Sequence, residues 1–206
     1  IGADVTRFCS IVDDEVGAIC YKFFVIDSGR DFPVTITPFI DGDIVNKDSN
    51  YDEKFWDEIS KANWADGGYV QMRTKKTGFE VATGMKCVIL VDDEQVDVTP
   101  NPIIKDKYIG LEYKLNIKPG QTVTIYKYAA NLSSQNYKVD ELVDKLQETL
   151  ARVSQKGFEK MLAEQAAAWG KKWQHNDIII EGGASAQQAI RFNIFQLNQT
   201  YTGEDD

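Results

Sequence analysis

Residues 108–131 read YIGLEYKLNIKPGQTVTIYKYAAN. Two segments rich in β-branched and aromatic residues, 108–117 and 122–131, flank the tetrapeptide KPGQ at 118–121. Pro and Gly between two such segments are typical of a tight turn, so the stretch predicts a pair of adjacent antiparallel strands.

Segments of the same kind occur throughout the first two-thirds of the chain. They are VTRFCSIV (5–12), VGAICYKFFVI (16–26), PVTITPFI (33–40), YVQMRTK (69–75) and FEVATGMKCVILV (79–91). Turns rich in Gly, Pro, Asn and Asp separate several of them, and this pattern favours an antiparallel β-sandwich. Residues 51–65, YDEKFWDEISKANWA, are the exception, and there we expect a short helical turn.

After Asn131 the spacing of apolar residues becomes helical. A first helix is predicted from the positions Val139, Leu142, Val143, Leu146, Leu150 and Val153. Gly157 interrupts that pattern, and a second helix follows from Phe158 through Trp173, with Trp169 and Trp173 expected in a core.

The last part of the chain predicts a short strand and a further helix. HNDIIIEGG (175–183) has the composition of a strand ended by two glycines. The final helix opens with Ser185 and Gln188, which have the spacing of a capping box. Its apolar positions cover about half of its circumference, as in helices that are buried among other helices. Arg191 lies within this helix and is expected to pair with a carboxylate or with backbone carbonyls.

Composition excludes several classes of function. The chain has 206 residues, a net charge of -9 and a pI near 4.7, which argue against nucleic acid and anionic membranes as partners. No apolar run is long enough for a membrane-spanning helix, and no signal peptide precedes IGADVTRF, so we expect a cytoplasmic protein.

Cys9, Cys20 and Cys87 suggest neither a disulfide framework nor a metal site, and Cys9 and Cys87 are expected to be small buried hydrophobes. The single histidine, His175, is expected at a surface or interface.

Two stretches resemble a known family. They are ITPFIDGDIVNKDSNYDEKFWDEI (36–59) and WQHNDIIIEGGASAQQAIRFNIFQLNQTYTGEDD (173–206). The first is similar to an Asp-Gly-Asp turn followed by Asn-Tyr-Asp-Glu-Lys-Phe-Trp-Asp in glycoside hydrolase family 65. The second is similar to the entry into that family's catalytic domain. The resemblance extends over nearly the whole chain and is strongest to the family's disaccharide phosphorylases, those acting on maltose above all.

The resemblance implies a fold and a domain organisation. We expect a mainly β protein: an antiparallel β-sandwich, part of a larger super-sandwich, at 1–131, a helical linker at 132–176, and the first helix of an (α/α)6 catalytic barrel at 177–206. Because the remaining barrel and part of the sandwich do not occur in these residues, we expect the chain to be a piece of a longer protein and inactive by itself.

The resemblance also implies an activity for the longer protein. In an inverting α-glucoside phosphorylase, a glutamic acid of the barrel protonates the glycosidic oxygen while inorganic phosphate attacks the anomeric carbon. A disaccharide substrate is expected to bind through the barrel, without organic cofactor or metal and with phosphate as co-substrate. The family is often dimeric, and exposed strand edges favour association, so a homo-oligomer is expected. A hydrolase of the same family is an open alternative.

An aromatic constellation supplies the candidate sugar-binding residues of the chain itself. Tyr51, Trp56 and Trp64 could stack on sugar rings, and a free-standing carbohydrate-binding module is therefore a further alternative. The competing interpretation, which we favour, is that Phe55 and Trp56 anchor a loop by burying apolar area.

Two charged clusters are weaker candidates, and no catalytic residue is predicted. The acidic cluster comprises Asp41, Asp43, Asp48, Asp52 and Glu53. An EF-hand is excluded because Glu53 and Ile59 stand where its loop needs Gly and Glu, so a loop held by Asx hydrogen bonds is favoured. The basic cluster Arg73, Lys75 and Lys76 could hold phosphate, but a charged hairpin tip is the preferred interpretation.

Overall fold

A computed structural model describes residues 2–24, 29–45 and 53–200. The described residues form strands that are followed by helices. The strands are β1 Gly2–Cys9, β2 Val16–Phe24, β3 Phe32–Ile36, β4 Phe39–Asp41, β5 Trp56–Trp64, β6 Gly67–Thr74, β7 Glu80–Val91, β8 Glu94–Gln95, β9 Asn101–Lys105, β10 Tyr108–Ile117 and β11 Thr122–Ser133. A 3₁₀ helix at Val139–Glu141 precedes α1 Leu142–Lys156, α2 Phe158–Asn176 and α3 Ala184–Thr200.

The strands form two antiparallel sheets, which confirms the predicted fold class. The larger sheet has the order β1-β2-β11-β7-β6-β5, and β8 pairs with β7. In the smaller sheet β10 is central, pairing with β3, β4 and β9. Buried residues of both sheets form one core cluster, with Val70, Met85 and Ile125 from the larger and Ile109 and Leu111 from the smaller. The two sheets therefore face each other as a sandwich.

Helix α1 covers the other face of the larger sheet. Its buried residues Leu142, Leu146, Leu150 and Val153 pack against a second cluster that includes Tyr128. The larger sheet is thus covered on both faces at its centre. This explains why β7 reads as a nearly continuous apolar run instead of alternating with polar residues.

The expected helical turn within 51–65 is wrong, because β5 occupies Trp56–Trp64. This strand pairs antiparallel with β6, and the register shifts between Glu58 and Ser60. A bulge of this kind interrupts the two-residue alternation that identifies a strand, so the strand pattern was hidden in the sequence. Residues 51 and 52 lie outside the described ranges.

The predicted strand at 33–40 is two strands. The chain leaves β3 after Ile36 and enters β4 at Phe39, and Thr37 and Pro38 belong to neither strand. Proline lacks the backbone N–H that a continuous ladder requires. β9 was not predicted, because Pro102 and the charged residues around it give no clear strand pattern.

The helices begin and end close to the predicted positions. Gly157, with φ 84°, ends α1 in a conformation that favours glycine. The chain divides into two compact units, residues 1–162 and 163–206. The proposed domain boundaries after residues 131 and 176 remain a prediction. No helix among the described residues is long and apolar enough to cross a membrane.

The predicted strand at 175–183 is wrong. His175 and Asn176 end α2, and residues 177–183 form neither helix nor strand. The side chain of Gln187 takes the place of a strand partner: its amide nitrogen donates to the Ile178 carbonyl at 2.8 Å, and its oxygen accepts from the Ile180 N–H at 2.8 Å.

The predicted capping box is also wrong. Helix α3 begins at Ala184, and the Gly183 carbonyl accepts from the N–H of Ala186 at 3.0 Å. Ser185 therefore lies inside the first turn of the helix and not at its cap.

Candidate functional site

The predicted aromatic residues do not form one surface. Trp56 and Trp64 are the first and last residues of β5. Trp56 packs against the core between the sheets, whereas Trp64 packs against the cluster under α1 and stacks on Tyr69 with 6.4 Å between ring centroids. Trp56 thus has the anchoring position that we favoured. Tyr51 lies outside the described residues, and sugar binding by any of the three remains a prediction.

The acidic cluster is held by local hydrogen bonds and lysines. The Asp43 N–H donates to Asp41 Oδ1 at 2.9 Å, which is an Asx hydrogen bond of the expected kind. The Asp43 carboxylate accepts from Lys54 at 2.6 Å and from Lys107 at 3.3 Å, and these hydrogen bonds lower its pKa. Asp48 and Asp52 lie outside the described ranges. Within those ranges no three His, Cys, Asp or Glu residues are grouped as a metal site.

Each member of the basic cluster has a carboxylate partner. Arg73 pairs with Glu80, while Lys75 lies 3.7 Å from Asp57. Lys76 lies 3.7 Å from Glu53. These pairs surround the turn between β6 and β7. This arrangement favours a charged hairpin tip over a phosphate site, because an anion would have to compete with the carboxylates.

A buried carboxylate, that of Glu80, takes part in side-chain hydrogen bonds that connect β5, β6 and β7. The Glu80 side chain is 2% exposed and accepts from Arg73 and from Gln71 Nε2, the latter at 2.6 Å. Gln71 Oε1 accepts in turn from Ser60 Oγ at 2.8 Å. A buried charge is tolerated when it is paired and hydrogen-bonded, and this chain of contacts links β5, β6 and β7. The sequence did not reveal it, because the partners lie on three different strands.

The cysteines differ in their surroundings. Cys87 is buried, and burial raises the pKa of its thiol to about 12, so it is a small hydrophobe as expected. Cys9 is exposed, which corrects the prediction that it is buried. It is the last residue of β1, an outer strand of the larger sheet. Cys20 is partly buried, and burial raises its pKa.

Polar contacts connect the end of α2 with α3. The Arg191 guanidinium donates to both Asp177 oxygens at 2.9 and 2.6 Å, which confirms the predicted carboxylate partner. Trp169 is half-buried instead of fully buried, and its ring centroid lies 5.0 Å from that of Phe195. His175 is exposed, as predicted.

A cleft of about 520 Å³ was not anticipated from the sequence. Asp66 from the β5–β6 turn, Lys86 from β7 and Tyr113 from β10 line it, together with residues 95–99 and the last turns of α1. Lys86 Nζ lies 3.1 Å from Asp66 Oδ2. These residues are far apart in the chain, so no sequence motif could have revealed them.

This architecture, an antiparallel β-sandwich followed by three helices, defines a mainly β class of protein domain. Residues 2–172 match the family described as Glycosyl hydrolase family 65, N-terminal domain. The chain therefore belongs to glycosyl hydrolase family 65, as its two motif stretches indicated.

Curated relatives include maltose phosphorylase of Bacillus subtilis (strain 168), which is 30% identical over 97% of this chain and 26% of its own length. Alpha,alpha-trehalose phosphorylase of Thermoanaerobacter brockii is 28% identical over 78% of this chain and 20% of its own. The chain thus spans about a fifth to a quarter of the length of these relatives.

A solved structure described as "Putative kojibiose phosphorylase from human microbiome" has the same fold. It superposes with a TM-score of 0.84 at 21% identity and covers 98% of this chain and 25% of its own.

Proposed function

We propose that this chain is the N-terminal part of an inverting α-glucoside phosphorylase that acts on a maltose-type disaccharide. The observation that supports this most is the 30% identity with a maltose phosphorylase over 97% of the chain. A relative named for trehalose phosphorolysis supports the wider reaction class. We assign the β-sandwich to 1–131, the linker to 132–176 and the first barrel helix to 177–206.

The charged clusters of this chain are unsuited to the reaction, which supports placing the chemistry elsewhere in the longer protein. A general acid for glycosidic cleavage must stay protonated near neutral pH, so its pKa must be raised. Hydrogen bonds from Lys54 and Lys107 lower the pKa of Asp43 instead. The cations at 73–76 are paired with carboxylates and offer no open phosphate site. The longer protein is thus expected to bind disaccharide and phosphate in its barrel.

The test is a substrate comparison with the longer protein. Maltose, kojibiose and trehalose are each incubated with and without inorganic phosphate, and glucose 1-phosphate is measured. We expect β-glucose 1-phosphate from maltose only when phosphate is present, because inversion of an α-glucoside gives the β anomer. Phosphate-independent release of glucose would instead indicate a hydrolase of the same family. The chain alone serves as the control and should be inactive.

We infer a cytoplasmic location and self-association. Cys9, Cys20 and Cys87 are present as thiols, which suits a reducing compartment. β1 and β5 are the outer strands of the larger sheet, and such edges favour pairing with another chain. Sedimentation equilibrium should therefore show dimers or larger species. A strictly monomeric protein at high concentration would contradict the inferred association.

A further inference from the structure

The cleft lined by Asp66, Lys86 and Tyr113 contains a nearly buried polar group, the Tyr113 hydroxyl, to which no described residue forms a hydrogen bond. Tyr113 is only 3% exposed. Among the residues that the structure describes, none forms a hydrogen bond with its hydroxyl. Among the described residues, every fully buried side-chain nitrogen or oxygen has a hydrogen-bond partner. Because the Tyr113 hydroxyl has none, it is not fully buried and is open to the cleft. A polar group in such a position gains free energy when a ligand supplies the missing hydrogen bond.

The charges of the cleft favour a neutral ligand. Lys86 and Asp66 lie 3.1 Å apart, and their side chains remain 26% and 43% exposed. The two charges compensate each other, and Asp97 adds a carboxylate to the lining, so the cleft attracts neither phosphate nor a carboxylate. The ammonium group still donates and the carboxylate still accepts, and a sugar hydroxyl can satisfy both kinds of contact. Ser154 and Gln155 of α1 add further polar groups to the lining.

An aromatic side chain lies in the adjoining cavity. This smaller cavity, of about 240 Å³, shares Asp66, Lys86 and Ala151 with the cleft and is lined by Trp64. A Cβ atom on Gly67 would lie 2.4 Å from Trp64 Nε1 and 2.3 Å from the Met85 carbonyl oxygen. Only glycine at this position lets the indole ring lie where it does. Indole rings pack well against the C–H faces of ligands and keep a polar N–H available.

We propose that the cleft binds a short neutral oligosaccharide. Its hydroxyl groups contact Tyr113 and the Asp66–Lys86 pair, while Trp64 packs on its apolar face. A volume of this order is within the range of small-molecule sites. The proposal depends on residues of this chain alone. If no sugar bound in this cleft, the proposed phosphorylase activity of the longer protein would be unaffected. If that activity were absent, sugar binding in the cleft would still be possible.

The experiment is a titration of the ¹⁵N-labelled protein with maltotriose, followed by the indole N–H resonances of its tryptophans. We expect the Trp64 resonance to shift most, with saturation in the millimolar range. The variant Tyr113→Phe removes the hydroxyl and should weaken binding about 3- to 10-fold, the usual effect of one hydrogen bond. Its thermal unfolding should be unchanged, because the hydroxyl has no partner among the described residues.

A matched control is Tyr108→Phe, which changes the same residue type on the same strand but outside the cleft. It should leave binding unaltered. The proposal is overturned if maltotriose causes no shifts, if both variants weaken binding equally, or if Tyr113→Phe binds as the unmodified protein does. It is also overturned if inorganic phosphate shifts the same resonances at lower concentration than the sugar.

Discussion

The two compact units, residues 1–162 and 163–206, differ in how far their apolar side chains are exposed to solvent. In the first unit, Leu142, Leu146 and Leu150 of α1 are at most 1% exposed. In the second, Phe192 is 59% and Leu197 is 69% exposed, and Ile179 is 81% exposed. Helix α1 packs its apolar side against the larger sheet, whereas Phe192 and Leu197 of α3 are largely exposed. An apolar pattern thus shows that a helix has a surface to bury, without showing that the partner is present.

The second unit is held instead by polar and aromatic contacts. Arg191 and Asp177 form an exposed ion pair, and Gln187 binds the backbone on both sides of Ile179. Exposed contacts of this kind contribute little in water, because water competes for the same groups. The second unit should therefore open more readily than the first.

The largest expected effect comes from truncating a buried leucine. Leu146→Ala should lower the free energy of unfolding by about 2–5 kcal/mol, because it removes buried area and leaves a cavity under α1. The matched variant Leu197→Ala should change it by about 0.5 kcal/mol or less, since that side chain is mostly in water. Urea unfolding followed by circular dichroism measures both. Equal losses in the two variants would contradict the comparison.

Alanine substitutions at two glycines should change the stability of the protein in opposite directions. A Cβ on Gly84 would lie 2.7 Å from Leu146 Cδ2, so Gly84→Ala should cost about 1–3 kcal/mol through overpacking of α1 on β7. Gly170 lies within α2, and nothing lies within 4 Å of its Cβ position. Gly170→Ala should stabilise that helix by up to about 1 kcal/mol. Thermal unfolding and helical ellipticity distinguish the two, and a stabilising Gly84→Ala would show that α1 does not approach the sheet closely.

A smaller effect is expected at Asp13, which connects the β1–β2 turn to α1. Its carboxylate accepts from Lys156 at 2.8 Å and from Arg152, and its side chain is 13% exposed. Asp13→Asn should cost about 1–2 kcal/mol at neutral pH, in the range of charged hydrogen bonds. Asp177→Asn is the control in the second unit, where the pair is exposed, and it should have a smaller effect.

The Asp13 contribution should depend on pH. Partial burial raises the pKa of this carboxyl, but the hydrogen bonds from Lys156 and Arg152 outweigh it and leave the pKa below its ordinary value of 3.8. A lowered folded-state pKa means that the stabilisation is present above 3.8 and is lost as pH falls through the folded-state pKa. The difference between the unmodified protein and Asp13→Asn should therefore shrink in strong acid. A difference in stability that grew on acidification would contradict the lowered folded-state pKa of Asp13.

Local patterns in the sequence were sufficient for most strands and for all three helices. Residues 108–117 form β10 as predicted. Turn residues such as Pro and Gly, and the helical spacing of apolar residues, are signals that act over only a few residues. The errors arose where distant contacts decide the structure. Trp56–Trp64 became a strand because β6 pairs with it, and residues 177–183 lacked a pairing strand and were bound by Gln187 instead.

The candidate site was harder to predict than the fold. The cleft combines Asp66, Lys86 and Tyr113, and none of these has a neighbour in sequence that suggests a shared role. Their proximity follows from the order of strands in two sheets, which residue patterns do not specify. Arg191 is the exception, because a charge within an apolar helix by itself predicts a partner, either a carboxylate or backbone carbonyls, and Asp177 is that partner.

The most direct test of the central claim is hydrogen exchange, measured by mass spectrometry on this chain and on the longer family 65 protein that we propose contains it. In the chain alone, amides of residues 184–200 should exchange much faster than those of 142–156. In the longer protein, residues 184–200 should gain protection, because we propose that α3 is the first helix of a barrel whose other helices cover it. Residues 142–156 should stay unchanged. Slow exchange of 184–200 in the chain alone, or no gain in the longer protein, would contradict the account.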